Sequence, residues 1–266
     1  MRPRDLVNPA GASVALGPGN DYAGPRPGPV GARLSRFTTQ WLRSVTDSWT
    51  IDIVTKGLRL SFNSPPPLSY SPKWTKIPVD IQKAAALRGE VQALLEKDAI
   101  GVLSPPYPPG FYSTLFLVPK SNGQWRPVID LSALNDYITP PTFKMETVQR
   151  LWRTIDLRDW AVSVDLTDAY LHVPMNVASR RYLRFAIDGV VYFFKAIPFG
   201  LNLAPWVFTR LIDTALAGLR GSISSQVSNY LDDFLLKNLD KKALEADLRT
   251  LLQYLQDLGF LVNLEK

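Results

Sequence analysis

Two adjacent carboxylates, Asp232 and Asp233, end the string Tyr230-Leu231-Asp232-Asp233 between two apolar runs. Gln226 to Tyr230 leads in and Phe234-Leu235-Leu236 leads out. Both flanks read as short strands, which puts the pair at the turn of a β-hairpin. Neighbouring carboxylates repel, and a cation between or beside them relieves the repulsion. Taken alone, an Asp-Asp turn is an ordinary polar turn. Upstream, however, the strand-like run Trp160 to Val164 delivers a third carboxylate, Asp165, at its end. If the two elements lie side by side in one sheet, Asp165, Asp232 and Asp233 converge. Oxygen donors of this kind, completed by substrate phosphates, suit Mg²⁺. Two ions so held stabilise the attacking and the leaving oxygen of a displacement. Without such a neighbour, Asp165 would only cap a strand.

The elements that must position these residues are legible in outline. Leu87, Val91, Leu94 and Leu95 recur at helical spacing behind Asp80, a suitable N-cap, and Gly101 reads as a stop. Strands are expected around Ser113–Val118 and Arg126–Asp130, joined by the polar loop Lys120-Ser121-Asn122-Gly123-Gln124. A second hairpin is expected at Tyr182–Ile187 and Val190–Lys195, turning at Asp188-Gly189. Pro205 opens a helix running through Phe208, Leu211, Ile212 and Leu219. A last helix carries Leu244, Leu248, Leu251, Leu255 and Leu258 between Asp240 and Gly259. That stripe is shorter than three heptads, so it reads as a core face and not as a zipper.

With these residues in place, the chain after about Gly57 resembles the fingers and palm of a reverse transcriptase. Phe111 to Lys120 followed by Trp125 to Asn135 resembles the family's fingers motifs, and Ser163 to Tyr170 its first catalytic motif. Ala196 to Pro205 with Phe208 resembles the motif that supports template and incoming nucleotide. Tyr230 to Asp233 resembles the second catalytic motif, and Leu258 to Lys266 the motif that ends in a catalytic-site lysine. Five motifs in order are far more specific than one. The wording Asp130-Leu131-Ser132, Gly110 to Ser113, Phe143 to Thr147 and Tyr182 to Phe185 looks most like the DIRS type of retrotransposon.

The resemblance implies an α+β right-hand fold, fingers and palm, with an antiparallel palm sheet packed on helices. It implies template-directed nucleotidyl transfer on a primed RNA or DNA template, using deoxynucleoside triphosphates and two Mg²⁺ ions, with Mn²⁺ as the alternative. Asp165 and Asp232 would bridge the ions, while Asp233, whose side chain diverges from its neighbour's, would coordinate more weakly. Lys120 and Arg126 would hold the triphosphate. Asp168 and Ala169 would line its pocket with backbone amides, and Tyr170 would lie beneath the sugar and exclude a 2′-hydroxyl. Phe199 and Gly200 would lie against template and nucleotide. Lys266 would act as general acid to pyrophosphate. Nothing in the chain resembles the family's primer-gripping turn, thumb or ribonuclease H. The isolated chain is therefore expected to bind nucleic acid in a salt-sensitive way and to extend primers poorly. The competing reading is a catalytically silent retroelement remnant that only binds nucleic acid. A retroelement enzyme is expected inside the cell, in cytoplasm or nucleus.

Composition is compatible with both readings. The net charge is +6 and the pI about 9.5, which suits a polyanionic partner. The excess is uneven: residues 1–60 hold 8 Lys/Arg against 4 Asp/Glu, and the rest is close to neutral. The phosphate-holding groups of the palm must therefore be placed locally. With no Cys, disulfides and zinc–thiolate sites are excluded, and His172 as the only His argues against a His-ligated metal cluster or a serine-type triad. No run of about 20 apolar residues is present, so no membrane partner is expected. Six Pro and six Gly between Pro3 and Gly31 break any helical or strand period. Residues 1–36 are accordingly expected as a disordered arm, 37–78 as a connector that alternates in Trp49-Thr50-Ile51-Asp52-Ile53, and 79–266 as fingers and palm.

Overall fold

The structure is a computed structural model that describes residues 28–119, 125–143, 156 and 158–263. It begins with a strap. A 3₁₀ turn at Arg33–Phe37 leads into helix α1 (Thr38–Ser44) and helix α2 (Ser48–Lys56). Val30, Leu34, Trp41, Val45, Ile53 and Val54 of this strap are buried in the same apolar core as the rest of the chain. The expectation of a disordered arm is corrected for residues 28–36; residues 1–27 lie outside the described residues. The alternation in 49–53 is likewise helix: Asp47 caps it by accepting from Thr50 N at 2.8 Å. Burial falls on Thr50, Ile53 and Val54, which is helical spacing.

Helix α3 (Ile81–Glu96) starts at the expected cap, with Asp80 accepting from Lys83 N. It buries Ala84, Leu87, Val91 and Leu94. It stops before Gly101, at Asp98, whose φ of +56° takes the left-handed conformation. Gly101 itself lies in strand β1 (Ile100–Leu103), where the Phe193 ring occupies the space a Cβ would need. Strands β2 (Tyr112–Ser113), β3 (Leu115–Pro119) and β4 (Trp125–Ile129) follow, with β3 and β4 an antiparallel ribbon. A short helix α4 (Ser132–Asn135) closes this part.

Strand β5 (Trp160–Leu166) is the centre of the second half. The hairpin β6 (Arg184–Ile187) and β7 (Val190–Phe194) turns at Asp188-Gly189, both with positive φ, as a two-residue loop of that kind requires. It joins β1 and β2 in a sheet ordered β1-β7-β6-β2. Helix α5 (Ala204–Leu219), with Pro205 in its first turn, buries Phe208, Leu211, Ile212 and Leu219. Strands β8 (Gln226–Tyr230) and β9 (Asp233–Asn238) form the acidic hairpin. Helix α6 (Lys241–Asp257) is capped by Asp240 and buries its leucine stripe in the core. Strand β10 (Val262–Asn263) completes an antiparallel sheet ordered β10-β5-β9-β8. The architecture is α+β. Among the described residues, no helix is long and apolar enough to cross a membrane.

Candidate active site

Four residues stand in one row across the last sheet. Asn263 pairs with Asp165, Asp165 with Asp233, and Asp233 with Tyr230. Directly opposite residues of antiparallel strands share a face, with Cβ atoms about 4.5–5.5 Å apart. The row therefore sets two carboxylates side by side at the open end of β5 and β9. Asp232 stands one step away in the turn, where its carbonyl accepts from Leu166 N at 3.1 Å. All three carboxylate residues are partly buried. The chain thus brings Asp165, Asp232 and Asp233 to one sheet end, and Asp233, not Asp232, is the cross-strand partner of Asp165. Among the described residues, no three His, Asp or Glu side chains close into a ready-made metal cluster.

The turn is strained. Tyr230 pairs with Asp233, so the loop is two residues, and Leu231 at its first position has a φ of +54°. Glycine normally serves there. A branched side chain in that region costs about 1–3 kcal/mol, and such strain clusters at functional sites.

Beneath the row lies an aromatic wall. Asp168, with a φ of +51°, starts the 3₁₀ turn Ala169–His172. Tyr170 packs between Phe199 (ring centroids 5.2 Å apart) and Phe208 (5.6 Å). Burial, with the charges of Asp232 and Tyr230 nearby, pushes the Tyr170 phenol up to about 12. Its hydroxyl stays protonated and neutral. Phe199 and Gly200 are exposed. Asn135 holds them: its side-chain amide donates to Gly200 O at 2.9 Å and accepts from Asn202 N at 3.0 Å. Asn202 in turn donates to Ile138 O at 3.0 Å. A cavity of about 440 Å³ opens between Asp168, Phe199, Ile129 and Lys97.

Two further side chains complete the site. Lys97, at the end of α3, pairs with Asp168 at 2.9 Å. Asn263 donates to Asp165 Oδ2 at 3.2 Å. Neither side chain is marked by the sequence as part of the site, although Asn263 stands within the last motif. Lys97 carries no local signal, because its partner is 71 residues away. His172 is fully buried and takes the structural role expected of it. Its Nε2 accepts from Leu261 N at 2.9 Å, so Nδ1 carries the proton and donates to Ala169 O. Burial pushes its pKa down to about 4, which keeps the ring neutral. Lys120 and Lys266 lie outside the described residues, as do Lys144 to Thr147. Arg126 is placed in β4 opposite Val118, but its side chain is not among those described.

The donor set suits a hard divalent ion. Like charges set directly opposite each other repel, and Mg²⁺ is commonly held by one or two carboxylates plus substrate phosphates. The pair Asp165 and Asp233, with Asp232 adjoining, fits that requirement without a third closed ligand.

The chain is 29% identical over 186 residues to the Retrovirus-related Pol polyprotein from transposon opus of Drosophila melanogaster, covering 68% of this chain and 18% of the relative. It is 27% identical over 227 residues to Protein P of a duck hepatitis B virus, covering 82% of this chain and 26% of that protein. The chain thus spans about a quarter or less of the curated relatives it matches. Its backbone superposes on the protease-reverse transcriptase of prototype foamy virus with a TM-score of 0.62 at 20% identity, covering 79% of this chain and 27% of that one. The foamy viral enzyme has also been solved in complex with an RNA/DNA hybrid. The fold is therefore that of polymerase fingers and palm. The profile of the family "Reverse transcriptase (RNA-dependent DNA polymerase)" matches residues 118–266, and the chain belongs to that family.

Proposed function

We propose that this chain is the polymerase module of a retroelement and catalyses RNA-directed DNA synthesis. The observation that carries this reading is the register of Asp165 opposite Asp233, with Asp232 in the adjoining turn. Asp165, Asp232 and Asp233 are the residues that would hold divalent ions, two Mg²⁺ or Mn²⁺. Such ions neutralise charge developing on the attacking and leaving oxygens. Asn263 donates to Asp165 Oδ2 at 3.2 Å and so orients that carboxylate. Lys97 offsets the Asp168 carboxylate, so that the backbone around Ala169 can receive a triphosphate without facing an uncompensated like charge. Tyr170, braced by two rings, sets a wall under the sugar. Phe199 and Gly200, held by Asn135, support the template and nucleotide. Lys120, Arg126 and Lys266 carry the roles the motifs give them, phosphate binding for the first two and proton donation to pyrophosphate for the third.

The partners are a primed RNA or DNA template and deoxynucleoside triphosphates. The motif wording at Asp130-Leu131-Ser132, Gly110 to Ser113 and Tyr182 to Phe185 supports the DIRS type. We place the polymerase module from residue 28 onward, since the strap shares its core.

The test is primer extension on an RNA template with Mg²⁺ and deoxynucleotides by the chain extended through a thumb, so that the primer is held, beside Asp165→Asn in the same protein. Incorporation by the wild type that is lost in the variant supports the reading. Undiminished incorporation by Asp165→Asn overturns the site. Salt-sensitive nucleic-acid binding without incorporation favours the binding-only remnant.

A further inference from the structure

The turn that launches β10 is gripped at successive residues by side chains and backbone from three other parts of the chain. Trp41 Nε1 donates to Leu258 O at 2.8 Å. Arg33 Nε donates to Gly259 O at 2.8 Å. Phe260 is buried against the Trp41 and His172 rings, at 6.0 and 5.4 Å. Leu261 N donates to His172 Nε2, and Leu261 O accepts from Thr167 N at 2.9 Å. Gly259 has a φ of +96°, and Phe37 fills the place a Cβ would take. Two of these grips, Arg33 and Trp41, come from the strap, which lies outside the segment that matches the family profile.

Arg33 is the costly member. It is 1% exposed, and burying a guanidinium is unfavourable unless its donors are used. An apolar side chain would be buried there without that cost. What the guanidinium adds is direction: Nε to Gly259 O, Nη1 to Gly28 O at 2.9 Å, and its plane against the Phe37 ring at 5.1 Å. The strap itself is anchored to two residues that line the cavity of about 440 Å³. Gly31 N donates to Lys97 O, and Ala32 N to Leu171 O. Three residues beyond Gly259 the chain is strand β10, paired with β5 at Leu166 and Asp165. Each residue between Gly259 and Asn263 is held in turn: Phe260 by the Trp41 and His172 rings, Leu261 by His172 and Thr167, and Val262 by its pairing with Leu166. The contact of Arg33 with Gly259 is the first link of a continuous series that ends at Asn263 and Asp165.

We propose that Arg33 is a positioning residue of the metal site: by fixing Gly259 it sets where Asn263 holds Asp165. This rests on the reading of Asp165 as a metal ligand. Groups that orient a ligand from behind typically change metal affinity by about 10–100-fold when removed.

The experiment is titration of the full chain with Mn²⁺ alone, read by electron paramagnetic resonance, with thermal melts in chelator to monitor folding. Arg33→Met is expected to remain folded and to bind Mn²⁺ about tenfold more weakly. Arg36→Met, on the same strap but bonded to Asp98, is expected to match the wild type. Asn263→Ala is expected to weaken binding to the same degree, and the double variant no further, because the two act in series. Wild-type affinity in Arg33→Met, or losses that simply add in the double variant, overturns the proposal. If Arg33→Met does not fold, Trp41→Phe replaces it. It keeps a ring and removes the donor to Leu258 O, so weaker Mn²⁺ binding supports the proposal and unchanged binding overturns it. Failure of the wild type to bind Mn²⁺ brings down the metal reading and the proposal together. That result is distinct from a variant that matches a binding wild type.

Discussion

Asp165 and Asp233 are register partners, each on its own strand, with their side chains on the same face of the sheet. Like charges so placed destabilise a sheet. Asp233→Asn should therefore raise stability slightly in chelator. Mg²⁺ or Mn²⁺ at ten times its Kd should add about 1.4 kcal/mol to the wild type, a rise of roughly 3–5 °C in Tm. The same ion should leave the Tm of Asp165→Asn almost unchanged. Equal metal-induced shifts in both proteins would remove Asp165 from the site.

Tyr170 is expected to set sugar choice by bulk. Tyr170→Ala removes the ring between Phe199 and Phe208, at a cost of about 1–3 kcal/mol from the two lost aromatic contacts. In an extending complex it should admit ribonucleotides without improving use of deoxyribonucleotides, since the discriminating contact is a clash. The measurement is the ratio of the two kcat/KM values. An unchanged ratio would make Tyr170 a core residue only.

Asn135 ties the loop of Phe199 and Gly200 to the end of α4. Asn135→Ala removes the donor to Gly200 O and the acceptor for Asn202 N. The nucleotide KM should rise about fivefold, corresponding to a loss of about 1 kcal/mol, with kcat little changed. A fall in kcat at constant KM would show that the loop acts on the chemical step instead.

His172 should give the protein an acid-sensitive step. Its folded pKa, about 4, is below the unfolded value of 6.5. The folded state therefore favours the neutral ring. The associated stability is complete above pH 6.5 and is lost as pH falls toward 4, because the unfolded chain takes up the proton first. The whole step is about 3 kcal/mol, of which about 2 kcal/mol falls between pH 7 and 5. Urea unfolding at the two pH values reads it directly. His172→Gln, which retains a donor and an acceptor, should be less stable at pH 7 but nearly flat across that window. A wild-type curve that is flat from pH 7 to 5 would contradict the buried neutral ring.

Local chemistry determined much of this protein by itself. Asp80 and Asp240 cap helices because a carboxylate accepts from the first free amides wherever the chain turns into a helix. Asp188-Gly189 makes its turn because those residues tolerate positive φ. The leucines of α6 face inward because their spacing puts them on one side. The acidic hairpin followed from its two apolar flanks and the pair between them. The strap was hidden for the opposite reason. Gly31 stands where a Cβ would meet the backbone of Asp98, and Arg33 and Trp41 are buried against residues 226 and 217 positions away. Proline and glycine there read as disorder, because the contacts that order residues 28–36 come from distant parts of the chain. The alternation at 49–53 gave way to a helix because Asp47 caps it and because Trp49 packs on Trp206 at 5.1 Å with Arg210 over its face. Only the tertiary structure decided that Asp233 faces Asp165, that Lys97 pairs with Asp168 and that Asn263 holds Asp165. Register and long-range ion pairs are fixed by which strands and helices meet, and local sequence does not record that.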